Sequence, residues 1–478
     1  MMNTTASRPN ILMLVLDSAR FDRLGIHGYH RRLTPALDAF AADAVDFTNA
    51  NAPGGSTRPS MGSNFTGLYP QAYGFDEDKF PDEKHTMVAE RLRDAGYRTY
   101  LFSSNAYVSP ATGYTRGFET VLYLNRSNLT KVIRPTVLLR HAPALIKTAL
   151  KRNTTYKVSS DLLLSEALRV LRGHGRDDPP FFLYIHMDVH NPYLSDRRYL
   201  RPCLEPGIDE ETIRKVEDIQ RNRPMMLDFA RTDIPMETRR RYWSVLRSMY
   251  DASFKKCDDL FGELVAVLRR GGLLPDTMVV VTSDHGELIG ERGGQMTHGL
   301  FPYEEVMRVP LVVKFPERFQ RTGADPRLVS TIDLVPTYCE LAGAPMPADQ
   351  TQGISLLSDR RHDFVIHQRQ NFLRISFEDF KKKFPTVDFD WLNLGHVIAL
   401  KDERFKFVWT SAGRRFLFDL RADPGETADL ADSRADLVDP YQSRFNEWRE
   451  RIKVQAGSAE PEYEEAVMDH LRRLGYVE

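Results

Sequence analysis

Three apolar segments of the sequence are followed, at once or within three residues, by carboxylate and imidazole side chains. The segments are residues 10–16 (NILMLVL), 181–187 (FFLYIHM) and 277–283 (TMVVVTS). The polar residues after them are Asp17, Asp188, His190, Asp284 and His285. Carboxylate oxygens combined with imidazole nitrogen suit a divalent ion such as Zn²⁺ or Mn²⁺. Taken singly, each Asp could cap a helix and each His could be an ordinary loop residue, but the whole set favours a metal site.

Thr57 is a second candidate for chemistry, in a loop of small residues, 53–63 (PGGSTRPSMGS). A hydroxyl becomes a strong nucleophile when a metal ion ligates it and lowers its pKa. The small residues would let the backbone approach an anionic group, and Arg58 could pair with a non-bridging oxygen of that group. The alternatives are that Thr57 caps a helix and that Arg58 is a solvated loop charge.

The apolar segments predict the fold that must position these residues. Continuous apolar runs are typical of strands buried on both faces, and they alternate here with helical segments such as 34–44 and 250–270. We therefore expect an α/β fold with a mostly parallel central sheet flanked by helices. Ligands of such sheets gather outside the carboxyl ends of the strands, so the polar residues should converge there.

The pattern changes towards the carboxyl terminus, where the extended segments become shorter. Residues 396–400, 405–409 and 415–420 each read as a short strand, and a helical segment follows near 436–454. We expect a catalytic α/β domain over 1–345 and a smaller α+β subdomain over 346–478, with an antiparallel sheet and a helical, charged tail.

Composition narrows the class of protein. The 478 residues carry a formal net charge of −1, with 27% charged and 42% hydrophobic residues, so no nucleic-acid partner is expected. Three widely spaced cysteines, Cys203, Cys257 and Cys339, are expected to be free thiols. The amino terminus lacks a signal-peptide pattern, and no apolar run approaches the roughly 20 residues of a membrane span. A cytoplasmic location is the expectation.

One segment, residues 120–160, is strongly basic. It contains eight Lys or Arg residues and no Asp or Glu. Those basic residues are Arg126, Lys131, Arg134, Arg140, Lys147, Lys151, Arg152 and Lys157. Mixed with Val, Leu and Ile, they suit a solvated helical insertion, a peripheral contact with an anionic membrane, or a lid that attracts an anionic substrate.

Several motifs together resemble the sulfatase family of the alkaline phosphatase superfamily. The matching pieces are RPNILMLVLDS, TPALDAFAADAVDFTNA, RPSMGSNFTGLYP, VTSDHGELIGERG, PYEEVMRVPLVVKFP and FLFDLRADPGETADLA. They span nearly the whole chain in the order of the family. The resemblance implies an alkaline phosphatase-like fold and metal-dependent ester hydrolysis.

The sequence also departs from the family pattern. At the position of Thr57, sulfatases carry a Cys or Ser that is oxidised to formylglycine. At the position of Met61 they carry an arginine. A threonine cannot give this aldehyde because its Cβ is branched, so no formylglycine is expected. Ser18 stands where an Asp is usual, and His285 where an Asn is frequent. The Gly-Lys-Trp-His segment that grips sulfate is replaced by residues 101–118.

With these departures, the sequence resembles the threonine-type phosphodiesterases and phosphotransferases of the superfamily. That resemblance implies one divalent ion, Zn²⁺ or Mn²⁺, at Asp17, Thr57, Asp284 and His285, and a threonine nucleophile that forms a phosphothreonine intermediate. His190 and His298 correspond to substrate-side and catalytic positions, where they would hold phosphoryl oxygens or protonate the leaving group. A second ion at Asp188, His190 and His298 is the further alternative.

The function predicted from the sequence is hydrolysis or transfer of anionic phosphate or phosphonate esters, with diesters included. One alternative is a sulfatase that acts without formylglycine. Another is a catalytically silent binding protein that keeps the fold.

Overall fold

The structure is a computed structural model. It describes residues 8–75, 79–125, 133–139, 142, 158–175, 177–194, 196–222, 234–369 and 394–452, together with 454, 457 and 468. Of the eight basic residues in 120–160, only Arg134 lies within this part of the chain, and the charged tail lies almost wholly outside it. The proposed roles of the basic segment therefore stay predictions.

The central sheet has eight strands in the order β4-β3-β5-β1-β6-β7-β2-β8. The strands are β1 (Asn10–Asp17), β2 (Val45–Asn51), β3 (Arg98–Ser103), β4 (Thr120–Tyr123), β5 (Phe181–Asp188), β6 (Thr277–Thr282), β7 (Leu311–Lys314) and β8 (Gly323–Ser330). Every neighbouring pair is parallel except the two made by β7, which runs antiparallel to β6 and β2. The predicted mostly parallel sheet is confirmed.

Side chains of the central strands alternate between two apolar layers. On β1, Leu12 and Leu14 belong to one buried cluster, whereas Ile11 and Met13 belong to the cluster on the opposite face. Because both faces are covered, these strands read as unbroken apolar runs in the sequence. The fold therefore has three layers, with the sheet in the middle.

Helices cover both faces of the sheet. The helices of seven or more residues are α1 (Pro35–Ala41), α2 (Thr57–Thr66), α3 (Val88–Asp94), α4 (Val158–Gly173), α5 (Glu210–Asn222), α6 (Met236–Arg270), α7 (Leu334–Ala342) and α8 (Ala435–Arg451). Four-residue helices lie at Arg197–Leu200, Glu291–Gly294 and Glu304–Met307. Buried residues of α1, α4, α5 and α6 pack on one face of the sheet, and those of α2, α3 and α7 pack on the other.

A second sheet lies towards the carboxyl terminus. Its antiparallel strands have the order β12-β11-β10-β9. They are β9 (Val365–Gln368), β10 (Val397–Lys401), β11 (Phe405–Thr410) and β12 (Arg415–Asp419). Phe445 and Trp448 of α8 pack against this sheet. The predicted antiparallel sheet is confirmed, although the sequence did not indicate β9, and the boundary at 345/346 stays a prediction. Within the described residues, no helix is both long and apolar enough to cross a bilayer.

Candidate active site

Three strands deliver acidic residues to the same edge of the central sheet. Asp17 and Asp188 are the last residues of β1 and β5 and lie opposite each other in register. Asp284 follows β6, the other neighbour of β1, after one intervening residue. Alternation along β1 places Asp17 on the face of Ile11 and Met13, which is the face covered by α2.

The backbone just after Asp17 adopts an unusual conformation. Ser18 has φ +64°, in the left-handed region that residues other than glycine rarely occupy. In this conformation the Ser18 backbone N–H donates to Asp284 Oδ1 at 3.2 Å. Tyr250 holds the turn from the other side by donating its hydroxyl to the Ser18 carbonyl oxygen at 2.7 Å. The turn therefore fixes Asp284 relative to Asp17.

Thr57 is the first residue of α2. Ser56, and not Thr57, occupies the cap position, so the Thr57 hydroxyl is not used as a helix cap. The preceding loop needs glycine because a Cβ on Gly54 would lie 2.7 Å from Pro59 Cγ, and one on Gly55 would lie 3.2 Å from Gly299 Cα. This packing presents Thr57 at the amino end of a ten-residue helix, where the peptide dipoles favour negative charge.

The four expected ligands of the first ion converge, and the other three lie close to His285. Its Nε2 lies 3.4 Å from Thr57 Oγ1, 3.5 Å from Asp284 Oδ2 and 3.8 Å from Asp17 Oδ1. Ligands bound tetrahedrally at about 2.1 Å from one ion lie about 3.4 Å apart. His285 Nδ1 donates to the Gly286 carbonyl oxygen at 2.8 Å, so Nε2 is the nitrogen that faces the cluster.

The chemistry of this donor set fits a divalent ion. Asp284 Oδ2 is buried and, among the described residues, receives no hydrogen bond, whereas a buried carboxylate oxygen is normally paired. Two carboxylates, one imidazole and one hydroxyl are suitable ligands for Zn²⁺ or Mn²⁺. Asp17, Thr57, Asp284 and His285 would hold such an ion.

Burial and charge set the protonation of the cluster. Burial would raise the pKa of Asp17, but His190, His186 and His285 outweigh it and hold that pKa well below the usual range. Burial lowers the pKa of His285, although Asp284 acts in the opposite direction. An ionised Asp17 and a neutral His285 are the forms that bind a metal ion.

A second buried group lies beside the first. His190, Glu287 and His298 place possible ligand atoms within 4.8 Å of one another. His298 Nδ1 is 3.0 Å from Glu287 Oε1, and the rings of His298 and His285 have centroids 4.2 Å apart. Asp188 is not part of this group, so its expected place as a ligand stays a prediction.

Arg58 lies in an aromatic environment. Its guanidinium carbon is 4.3 Å from the ring centroid of Phe80 and 5.2 Å from that of Phe75. The side chain is buried, unlike the solvated charge considered as an alternative. Its expected contact with substrate stays a prediction.

Three residues at the site were not singled out from the sequence: Asn105, His186 and Glu287. Glu287 could have been identified from the sequence, because it is a carboxylate two residues after His285. The signal for His186 was a polar residue within a buried strand, two positions before Asp188 and hence on the same face. Asn105 follows β3 in a loop whose path depends on distant contacts, so no local pattern marks it.

The fold and the cluster together define a class of α/β proteins. In this class, carboxylate and imidazole side chains form a site at the carboxyl ends of the strands of a mostly parallel sheet. The family model described as Sulfatase matches residues 9–344, and that described as N-sulphoglucosamine sulphohydrolase, C-terminal, matches residues 296–451. The chain belongs to the sulfatase family, and it is a sulfatase-family hydrolase.

Individual relatives are distant but extend over most of the chain. Arylsulfatase K of Bos taurus is 25% identical over 448 residues, covering 88% of this chain and 78% of its own. A protein of Trinickia caryophylli named "Multifunctional alkaline phosphatase superfamily protein PehA" is 25% identical and covers 93% of this chain and 95% of its own. The crystal structure of a phosphonate monoester hydrolase of Agrobacterium radiobacter superposes with a TM-score of 0.71 at 22% identity, over 93% of this chain and 96% of the other. That likeness supports the fold.

Proposed function

We propose that this protein is a metal-dependent hydrolase or transferase of phosphate or phosphonate esters, including diesters, and that unmodified Thr57 is its nucleophile. The observation that carries the proposal is the position of Thr57 Oγ1, 3.4 Å from His285 Nε2 in a buried cluster whose Asp284 Oδ2 accepts no hydrogen bond from the described residues. A divalent ion bound there would act as a Lewis acid, lowering the pKa of a ligating hydroxyl and stabilising charge on phosphoryl oxygens.

In the first step, Thr57 reacts in its deprotonated form. Its Oγ attacks phosphorus in line, the Oγ–P bond forms, and the bond from phosphorus to the leaving oxygen breaks. Backbone N–H groups at the amino end of α2 are suited to stabilise the developing charge. The product of this step is a phosphothreonine ester.

His298 is the residue we assign to proton transfer. Glu287 is fully buried and accepts from His298 Nδ1, so it holds the imidazole in one orientation. In the first step His298 donates a proton to the leaving oxygen. In the second step His298 accepts a proton from water or an acceptor hydroxyl, which attacks phosphorus as the Oγ–P bond breaks.

The group formed by His190, Glu287 and His298 could instead bind a second metal ion. Two imidazoles and a carboxylate are also a ligand set for a second divalent ion, with Glu287 in place of the expected Asp188. His190 donates its Nδ1–H to the Asn191 carbonyl oxygen at 2.6 Å, which fixes the orientation of its ring beside Glu287 and His298.

Sulfate-ester hydrolysis is the second candidate. It is favoured by the family to which the chain belongs and by relatives such as Arylsulfatase K. In this case Thr57 would attack sulfur without the formylglycine that sulfatases use. We prefer phosphate and phosphonate esters because Thr57 offers only a hydroxyl.

Matched substrates decide between the two candidates. Aryl phosphate monoesters and diesters, aryl phosphonate monoesters and aryl sulfates with the same leaving group should be assayed with Zn²⁺ and with Mn²⁺. We expect one of the phosphorus esters to have the highest kcat/KM, and mass spectrometry to show Thr57 unmodified. Faster turnover of the sulfate ester would contradict the proposal, and turnover of none would favour the silent binding protein.

A further inference from the structure

One oxygen of Asp17 receives two hydrogen bonds from side chains outside the expected ligand set. Asn105 Nδ2 donates to Asp17 Oδ2 at 2.7 Å, and His186 Nε2 lies 3.1 Å from the same oxygen. Asn105 and His186 are both buried. The other oxygen, Asp17 Oδ1, accepts from the Ser18 hydroxyl at 3.2 Å and lies 3.8 Å from His285 Nε2. Oδ2 therefore has two side-chain partners from β5 and the loop after β3, whereas Oδ1, with only the adjacent Ser18 hydroxyl as a donor, is the oxygen directed at the candidate metal position.

The orientation of Asn105 is fixed by the backbone. The Tyr107 backbone N–H donates to Asn105 Oδ1 at 2.8 Å, so the amide nitrogen must point the other way, towards Asp17. Ser103 Oγ accepts from the Asn105 backbone N–H at 3.0 Å and ties the turn to the end of β3. The side chain is thus held at both of its polar ends.

His186 is oriented by its neighbour on the same strand face. Its Nδ1 lies 2.7 Å from Tyr184 Oη, and the two residues are separated by one position on β5. Val15 of β1 and Ser103 of β3 flank His186 in register. The imidazole therefore reaches Asp17 diagonally across the β1–β5 pair.

Asn105 also reaches the proposed nucleophile. Its Nδ2 lies 3.4 Å from Thr57 Oγ1. An amide nitrogen carries two hydrogens, so Asn105 can donate to Asp17 and approach Thr57 at the same time. This contact connects a candidate metal ligand to the proposed nucleophile through one side chain.

We propose that Asn105 and His186 are positioning residues that form a clamp on Asp17, in which they saturate Oδ2 and leave Oδ1 for the metal ion. Asn105 additionally sets the side-chain position of Thr57. The clamp rests on the proposed function, since it assumes an ion at Asp17. His186 also lies in a group with Asp17 and Asp284 whose possible ligand atoms are within 4.8 Å of one another. The clamp assigns its imidazole to Asp17 Oδ2 and not to the ion, and it predicts that affinity for the ion still depends on Asn105 and His186.

The test measures the Kd for Zn²⁺ by competition with a chelator, without substrate. Asn105→Leu and His186→Leu remove the donors at similar volume, and each should weaken Zn²⁺ binding by about 10–100-fold, as lost partners of metal ligands do. His186→Gln keeps an N–H donor near the position of Nε2, so its Kd should stay close to that of the unaltered protein. Asn105→Leu should also lower kcat at saturating Zn²⁺, because Thr57 loses its neighbour.

A buried hydroxyl of the same apolar cluster serves as the matched control. Tyr338 packs against Phe182 of β5 in this cluster. Tyr338→Phe should leave the Kd for Zn²⁺ unchanged. The clamp is wrong if Asn105→Leu and His186→Leu bind Zn²⁺ as tightly as the unaltered protein. It is also wrong for His186 if His186→Gln binds as weakly as His186→Leu, because the imidazole would then itself be a ligand.

Failure of the clamp can be told apart from failure of the proposed function. A protein that binds no Zn²⁺ in the absence of any substitution would contradict the metal site itself. A protein that binds Zn²⁺ equally well with and without the clamp would contradict only the clamp. If His186→Leu does not fold, as judged by its unfolding temperature without metal, Asn105→Leu decides the clamp, and weak Zn²⁺ binding by His186→Gln would contradict the role of His186.

Discussion

Glu287 is a buried carboxylate that contacts His298, the residue assigned to proton transfer. It is fully buried, and burial would raise its pKa, but His298, with His190 and His285, holds that pKa below the usual range. Its Oε2 receives no hydrogen bond from any described residue. An ionised carboxylate that accepts from His298 Nδ1 holds the ring in one orientation, as general acid catalysis of leaving-group departure requires.

Glu287→Gln should therefore slow the substrates whose leaving groups need a proton. We expect a loss of about 100-fold in kcat for an alkyl or phenyl ester, the lower end of what a general acid contributes. A nitrophenyl ester, whose leaving group departs as the anion, should lose little. The measurement is the dependence of kcat on the pKa of the leaving group.

Glu291→Gln is the matched control for this prediction. Glu291 pairs with Arg20 at 2.9 Å and also lies close behind His285 in the sequence. Its substitution should affect all esters alike, if it affects them at all. Equal losses on phenyl and nitrophenyl esters in Glu287→Gln would mean that Glu287 supports the fold or a second ion.

The strands that carry the site could be predicted from the sequence because both of their faces are buried. Runs such as 10–16 and 181–187 are apolar without alternation, which left Asp17 and Asp188 visible at their ends. β9 is only four residues long and is not an apolar run of this kind. The Asn105 side chain is held by contacts with Asp17 and with the Tyr107 backbone. Those contacts join residues that are distant in the sequence or depend on backbone geometry, so composition and spacing do not reveal them.

A buried ionic network joins the second sheet to the short helix Glu304–Met307. Lys401 of β10 donates to Glu304 at 2.7 Å, and Lys406 of β11 lies 3.2 Å from the same carboxylate and contacts Glu426. Lys406 is fully buried. Glu304 and Glu426 come from two motifs that lie about 120 residues apart in the sequence, which the fold brings into one cluster.

Lys406→Met should destabilise the protein strongly. Removing one partner of a buried ion pair leaves an uncompensated charge, and the typical cost is about 3–5 kcal/mol in the free energy of unfolding. Denaturant unfolding measures this cost. Lys314→Met is the control, since Lys314 is also buried but donates to the carbonyl oxygen of Phe315. Similar, small effects of the two substitutions would mean that the network contributes little.

The candidate metal ligands come from parts of the chain that only the folded state brings together. Asp17, Thr57 and Asp284 lie on β1, α2 and the loop after β6. An ion bound by these residues in the folded state alone stabilises that state by mass action. Among the described residues no group donates a hydrogen bond to Asp284 Oδ2, and a buried carboxylate oxygen without a donor costs stability.

Metal should therefore raise the unfolding temperature, and Asp284→Asn should abolish the response. At a free Zn²⁺ concentration of about 100 times Kd, the expected gain is about 2.7 kcal/mol. Without metal, Asp284→Asn should be as stable as the unaltered protein or more stable, because a buried charge is removed. Thermal unfolding with Zn²⁺ and with EDTA measures both effects.

Asp251→Asn is the control for the metal response. Asp251 is a buried carboxylate paired with Arg31 at 2.6 Å. Its substitution should lower the unfolding temperature with and without Zn²⁺ while the difference between the two conditions remains. A metal response that survives in Asp284→Asn would place the ion elsewhere in the molecule.

The central claim is that Thr57 is the nucleophile, and turnover of Thr57→Ala measures it most directly. The substrate should be the phosphorus ester with the highest kcat/KM, and the assay should be at saturating metal. The loss should be on the order of 10³-fold or more, as when a member of a nucleophilic unit is deleted. Thr57→Ser should retain part of the activity because it keeps the hydroxyl. Near-normal turnover by Thr57→Ala would contradict the account, because the reaction would then proceed without this side chain.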